Sequence, residues 1–211
     1  LSHLLWDNGS PGLARDAISD LVFSIFLAAF CEQLRAVPFP MLQTSEAHQF
    51  MPQLIAHLKR LGLALRCNLF LTEIPEQLRL KPELLSSLFD DCRKSASGMS
   101  LEDLICVFEA YFAPQSRNKD GTFYTPPTIA KRIARDSIDL FLAANKSRRI
   151  HELKVLDPAC GGGIFLLEAY RCLSARLPEC FPGRAALLVR CIFGVDKDPR
   201  AAELTRLVLT L

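Results

Sequence analysis

The sequence has no long apolar run, no clustered thiols and no surplus of either charge, and each absence removes a class of function. Its most apolar stretch, Leu21–Cys31 (LVFSIFLAAFC), is too short to cross a bilayer as a helix. Asp16 and Asp20 stand where a signal peptide would carry basic residues, so a core helix is expected and no membrane attachment. The eight cysteines (Cys31, Cys67, Cys92, Cys106, Cys160, Cys172, Cys180 and Cys191) are scattered without a C-x-x-C pair, and the four histidines lack ligand spacing. A zinc ribbon, a finger and a disulfide scaffold are therefore excluded, and no metal site is predicted. Buried free thiols in a reducing cytoplasm are the expected state. The formal charge is only +2, but residues 1–118 carry −3 and residues 119–211 carry +5. That bias fits a polyanionic partner for the second half, and fits an ordinary solvated surface equally.

What is present is globular: half the 211 residues are hydrophobic and 23% are charged. A chain running from Leu1 to Leu211, ending inside a helical pattern, is expected to be a fragment of a longer protein. There is no internal repeat or low-complexity tract. The first 113 residues read as helices. One spans 13–36, with a possible local start at Ser19-Asp20 and an end enforced by Pro38 and Pro40. A second covers 46–65, where Phe50, Leu54, Leu58 and Leu61 recur at helical spacing, and Pro82 opens a third over about 82–94. Ser100-Leu-Glu-Asp is a capping-box-like start for a fourth over about 101–112.

After the polar segment Pro114–Asp120 the pattern changes. Pro126-Pro127 opens an amphipathic helix whose lining face is expected at Ile129, Ile133, Ile138 and Leu142. Leu153–Asp157 (LKVLD) reads as a buried strand, Gly161–Gly163 breaks it, and Ile164–Leu177 is helical. A loop at Pro178–Arg184 leads to a short helix over about 185–190. Cys191–Asp196 (CIFGVD) is a second strand, and Pro199 starts a last helix. Strand, glycine turn, helix, strand, helix describes an α/β unit with parallel strands. Two domains follow from this pattern: helical over 1–118, and α/β over 119–211.

The string Asp157-Pro-Ala-Cys-Gly161-Gly162-Gly163 joins strand to helix. Glycines there let the backbone turn sharply and a ligand approach closely, while the next helix offers free amides to polar or negative groups. In a parallel sheet, ligands bind beyond the carboxyl ends of the strands, where Asp196 would also emerge and could accept bonds from ribose hydroxyls. A dinucleotide is a poor fit. G-G-G-I-F-L lacks the third spaced glycine, and Asp196 stands 35 residues after Gly161.

The longer string V-L-D-P-A-C-G-G-G-I-F-L-L-E-A resembles the S-adenosylmethionine (AdoMet) motif of amino-group DNA methyltransferases, usually D-P-A-C-G-S-G-x-F-L. Gly194–Leu204 resembles the acidic motif that follows it, and Gly121–Pro127 (GTFYTPP) the motif that precedes it. Three motifs in that order make the resemblance specific over residues 119–211. It implies the first part of a Rossmann-like AdoMet methyltransferase fold, preceded by an all-helical domain. It also implies a DNA adenine-N6 methyltransferase of a restriction-modification system, either a type I modification subunit or a fused type II enzyme. By the same resemblance, Thr122, Phe123, Tyr124, Thr125 and Pro126 surround the methionine end of AdoMet. Asp157, Pro158, Ala159, Cys160, Gly161 and Gly163 face its amino-acid portion, Asp196 takes the ribose, and Lys197 and Asp198 flank the adenine. Gly162 departs from the family, which usually has serine there, at the expected cost of one hydroxyl contact and some rigidity in the turn.

One part is missing. Methylation of an exocyclic amine in this family uses an [NDS]-P-P-[YFW] segment, and none occurs here; the only Pro-Pro belongs to the upstream motif. No catalytic residue is therefore assigned, and the segment is expected beyond Leu211. Double-stranded DNA, engaged largely by other regions, and restriction or specificity subunits are the implied partners. Residues 1–118 hold no P-D…[DE]-x-K nuclease signature. Two other functions compete: an AdoMet enzyme acting on RNA, protein or a small molecule, and a noncatalytic helical scaffold with a vestigial cofactor fold.

Overall fold

The computed structural model describes residues 11–34, 47–70, 82–120, 125–147, 149–177 and 184–211. The chain divides into two compact units, residues 1–99 with Leu211 and residues 100–210.

The described part of the first unit is helical. Helix α1 (Pro11–Gln33) buries Leu21, Phe23, Ile25, Leu27, Ala28, Phe30 and Cys31, so it is apolar nearly all round, as a central core helix must be. It runs straight through Ser19-Asp20, which therefore does not start it. Ser24 inside it donates to the carbonyls of both Asp20 (2.8 Å) and Leu69 (2.9 Å), so its buried hydroxyl is satisfied. Helix α2 (Ala47–Leu65) buries Leu54, Leu58, Leu61 and Leu65 at the expected spacing. Helix α3 (Pro82–Ala96) packs on α1, where Arg93 forks onto Glu32 through bonds of 2.9 and 3.0 Å. No helix of the described residues is long and apolar enough to cross a membrane.

Helix α4 (Leu101–Asp120) opens the second unit, which begins at Ser100. Ser100 and Asp103 form the expected cap: the Ser100 amide donates to Asp103 Oδ2 (2.8 Å) and the Asp103 amide to Ser100 Oγ (3.2 Å). The polar segment 114–120 continues this helix past the expected end near 112. Loss of apolar residues ends the periodicity, but Gln, Arg and Lys are good helix formers. Arg171 ties α4 to the α/β elements by bonding both Glu102 (3.1 Å to Oε2) and Glu168 (2.7 Å).

Helix α5 (Pro127–Ala144) packs against α6 (Ile164–Ser174). Its inward face is Ala130, Ala134 and Ile138, while Ile129 and Ile133 are about half exposed. Of the expected face, Ile138 is inward and Leu142 packs on the core, while Ile129 and Ile133 give way to Ala130 and Ala134, small residues that let the two helices approach. Strand β1 (Val155–Asp157) pairs in parallel with β2 (Ile192–Gly194), matching Val155 to Ile192, Leu156 to Phe193 and Asp157 to Gly194. Helix α7 (Arg184–Cys191) feeds β2, and α8 (Pro199–Thr210) follows it. Ile138, Leu153, Cys160, Leu166, Leu173, Leu187 and Ile192 meet in the core of this unit. Strand β1 is not buried on both faces as its sequence suggests, because Leu156 is 61% exposed.

Candidate functional site

The two parallel strands end side by side, and their ends are stitched together by the backbone. Val195 N–H donates to Asp157 O and Cys160 N–H to Val195 O, both at 2.9 Å. The loop 158–163 is thereby fixed against the segment leaving β2. At its far end Gly163 has φ +92°, a left-handed conformation open to glycine and costly for other residues. A side chain there would also meet Thr205 at 2.8 Å. Gly163 is the N-cap of α6 and supplies no side chain, so no N-cap side chain covers the first amides of that helix.

Asp196 spans the site. Its Oδ2 accepts from Gly161 N–H and its Oδ1 from Asp198 N–H, each at 2.8 Å. One carboxylate thus joins the glycine loop to the start of α8, with a lone pair on each oxygen left for a ligand hydroxyl. Asp157 accepts from Ala159 N–H at 3.1 Å, an Asx-type contact that shapes the first turn of the loop. Asp198 accepts from Arg200 N–H at 2.9 Å and so caps α8.

Of the residues expected at the site, Asp157, Pro158, Ala159, Cys160, Gly161, Gly163, Asp196, Lys197 and Asp198 lie in these two joined segments. Pro158, Ala159 and Lys197 are exposed, whereas the Cys160 side chain is buried in the core and leaves only its backbone for a ligand. Burial pushes the Cys160 thiol above its ordinary range, which does not suit a nucleophile. Among the other cysteines, Cys31, Cys67, Cys92 and Cys191 are buried; Cys106 is exposed, against expectation, and Cys180 lies outside the described residues. Thr125 is half-buried and Pro126 caps the start of α5. Thr122, Phe123 and Tyr124 lie outside the described residues.

Sequence reasoning missed two residues. Thr205 of α8 donates to Gly161 O at 2.8 Å and holds the loop from behind; nothing in a helical L-T-R-L context signals that. Glu109 of α4 is buried (8% exposed), with Oε1 3.5 Å from where a Cβ on Gly162 would sit. Burial pushes its carboxyl up to about 7. A signal did exist, since Glu109 is the lone charge in the apolar run LICVFEAYF. The same helix explains the departure at Gly162. A Cβ there would stand 2.7 Å from Ile105 Cγ2, so serine is excluded unless Ile105 moves.

The sequence has counterparts among known proteins. The chain is 34% identical over 105 residues to "Type II methyltransferase M.VspI" of Vibrio sp. (strain 343), an alignment covering 50% of this chain and 20% of that protein. It is 26% identical over 111 residues to "Type II restriction enzyme and methyltransferase RM.Eco57I" of Escherichia coli, covering 43% of this chain and 11% of the relative. The chain therefore spans only a small part of the length of either relative. Residues 101–211, more than half of the chain and nearly the whole second unit, match the family described as N-6 DNA Methylase, and the chain belongs to that family.

Proposed function

We propose that residues 100–210 are the AdoMet-binding part of a DNA adenine-N6 methyltransferase from a restriction-modification system, built on a Rossmann-like fold. The observation that carries this reading is the uncapped start of α6 beside a carboxylate that already organises the loop. Free helix amides suit the methionine carboxylate, and the open lone pairs of Asp196 suit ribose hydroxyls. The glycine backbone leaves room for both. Thr122, Phe123, Tyr124, Thr125 and Pro126 are assigned to the methionine end, Asp157 to Gly161 and Gly163 to the amino-acid portion, and Lys197 and Asp198 to the adenine. These assignments rest on the motif resemblance together with the placement of the described loop.

AdoMet, when bound, supplies a methyl group activated by its sulfonium. This chain's residues bind and orient it: the α6 amides fix one end, Asp196 fixes the ribose, and Thr205 with Asp196 keeps the loop in shape. No [NDS]-P-P-[YFW] segment lies within residues 1–211, so the chain is assigned cofactor binding and no step on the base. Double-stranded DNA is the proposed substrate of the complete protein, with restriction or specificity components as partners. The names of the relatives, one a methyltransferase and one a combined restriction enzyme and methyltransferase, support that reading.

Calorimetric titration with AdoMet tests it. Binding is expected, and Asp196→Asn, which keeps one carbonyl acceptor for the loop, should weaken it about tenfold or more. Absence of binding at millimolar AdoMet would remove the cofactor reading. Unchanged affinity in the folded variant would remove the ribose role.

A further inference from the structure

Glu109 is left unused by the site as described. Its side chain makes no hydrogen bond or ion pair with a described residue, and burial alone accounts for its raised pKa. No cation contributes to its shift, and two arginines that reach α4 are already engaged. Arg171 is committed to Glu102 and Glu168, and Arg200 stacks on the Phe112 ring at 4.4 Å while pairing with Asp198 at 3.5 Å. An ionised carboxylate in such a place needs a positive partner from elsewhere.

Its position says which one. Glu109 stands against Gly162, in the loop just before the uncapped amides of α6. A methionine carboxylate on those amides carries its α-ammonium on the adjacent carbon, so that ammonium lies on the loop itself. AdoMet has a second cation, its sulfonium, but a sulfonium has no N–H to donate. A buried carboxylate gains most from a charge-assisted hydrogen bond.

We propose that Glu109 is a cofactor-binding residue whose carboxylate accepts hydrogen bonds from the α-ammonium of AdoMet, an assignment that rests on the cofactor reading above. The helix preceding the G-T-F-Y-T-P-P segment thereby becomes part of the binding site. Gly162 serves it too, because a residue with a side chain would stand between Glu109 and the loop.

The test compares S-adenosylhomocysteine with its deamino analogue, which keeps the thioether and carboxylate and has hydrogen in place of the amine. Binding of each to the wild-type protein, Glu109→Gln and Glu109→Met is measured by calorimetry. Both variants remove a buried charge at nearly constant volume, and whichever keeps the wild-type circular dichroism spectrum carries the comparison. Glu109→Gln should weaken S-adenosylhomocysteine about tenfold or more, while the deamino analogue changes by less than about twofold. Equal weakening of both ligands, or of neither, overturns the assignment while leaving the cofactor site standing. Loss for AdoMet without loss for S-adenosylhomocysteine overturns it in favour of the sulfonium. A wild-type protein that binds neither AdoMet nor S-adenosylhomocysteine overturns the site and the assignment together.

Discussion

At the scale of single residues, the site is held by carboxylates in opposite circumstances. Asp196 is satisfied by two backbone amides, whereas Glu109 has no hydrogen-bond partner among the described residues and is governed by its burial. The Glu109 carboxyl is raised from 4.5 to about 7 in the folded protein. Folding then favours its protonated form: the native state holds more protons than the unfolded chain between those values. Stability is therefore undiminished below about pH 4.5, falls as the pH rises through 7, and levels off above it. Glu109→Gln abolishes that loss. In the absence of cofactor it should match wild type near pH 4.5 and exceed it by up to about 3 kcal/mol at pH 8 in urea unfolding. Parallel pH profiles for the two proteins would show that Glu109 is not held in a desolvated place. Asp157 and Asp196 stood out in the sequence because each ends an apolar run, with Pro158 directly after the first and Pro199 three residues after the second. Glu109 showed only as a lone charge in an apolar run, and its place beside Gly162, more than 50 residues away in the chain, was not legible.

At the scale of elements, what was legible was periodicity and what was not was the neighbour. Helices α2 and α3, the Ser100–Asp103 cap and the parallel strand order follow from spacing, capping chemistry and turn residues alone. The inward face of α5 follows only in part, at Ile138 and Leu142. A stripe of isoleucines outranks a stripe of alanines on any hydrophobicity count, yet Ala130 and Ala134 are buried because α6 comes close. The two stripes predict opposite mutants. Ile133→Ser should change unfolding free energy by less than about 0.5 kcal/mol, as an exposed substitution does. Ala134→Leu should cost about 1–3 kcal/mol by forcing α5 off α6. A larger loss for Ile133→Ser than for Ala134→Leu in denaturant titration would restore the face expected from the sequence. The extent of α4 escaped for a related reason. Polar residues 114–120 carry no packing signal, so a helix that outlasts its apolar stripe reads as its end.

At the scale of the whole chain, the α/β part was readable as a unit, and the compact unit that contains it also takes in α4. The boundary depends on α4, whose sequence resembles the helices before it while its partners are the glycine loop, α6 and α8. The sheet carries a further consequence. Only two strands pair among the described residues, and one face of them is apolar and open: Leu156 is 61% exposed, Val195 57% and Phe193 38%. Beside Leu156 a groove of about 390 Å³ runs between α5 and α6, lined by Ile133, Phe141 and Phe165. A contiguous apolar surface of this kind attracts other apolar molecules. The folded 211-residue chain should therefore bind a hydrophobic dye such as anilinonaphthalene sulfonate without denaturant. Leu156→Thr should lower that fluorescence clearly, because it removes apolar area from the centre of the face. Its melting temperature should barely move, since an exposed leucine contributes little burial and threonine suits a strand. If dye binding is unaffected, the open face of β1 is not the chain's main apolar surface. If the melting temperature instead collapses, Leu156 is buried in solution and the sheet is covered there by something the described residues do not supply.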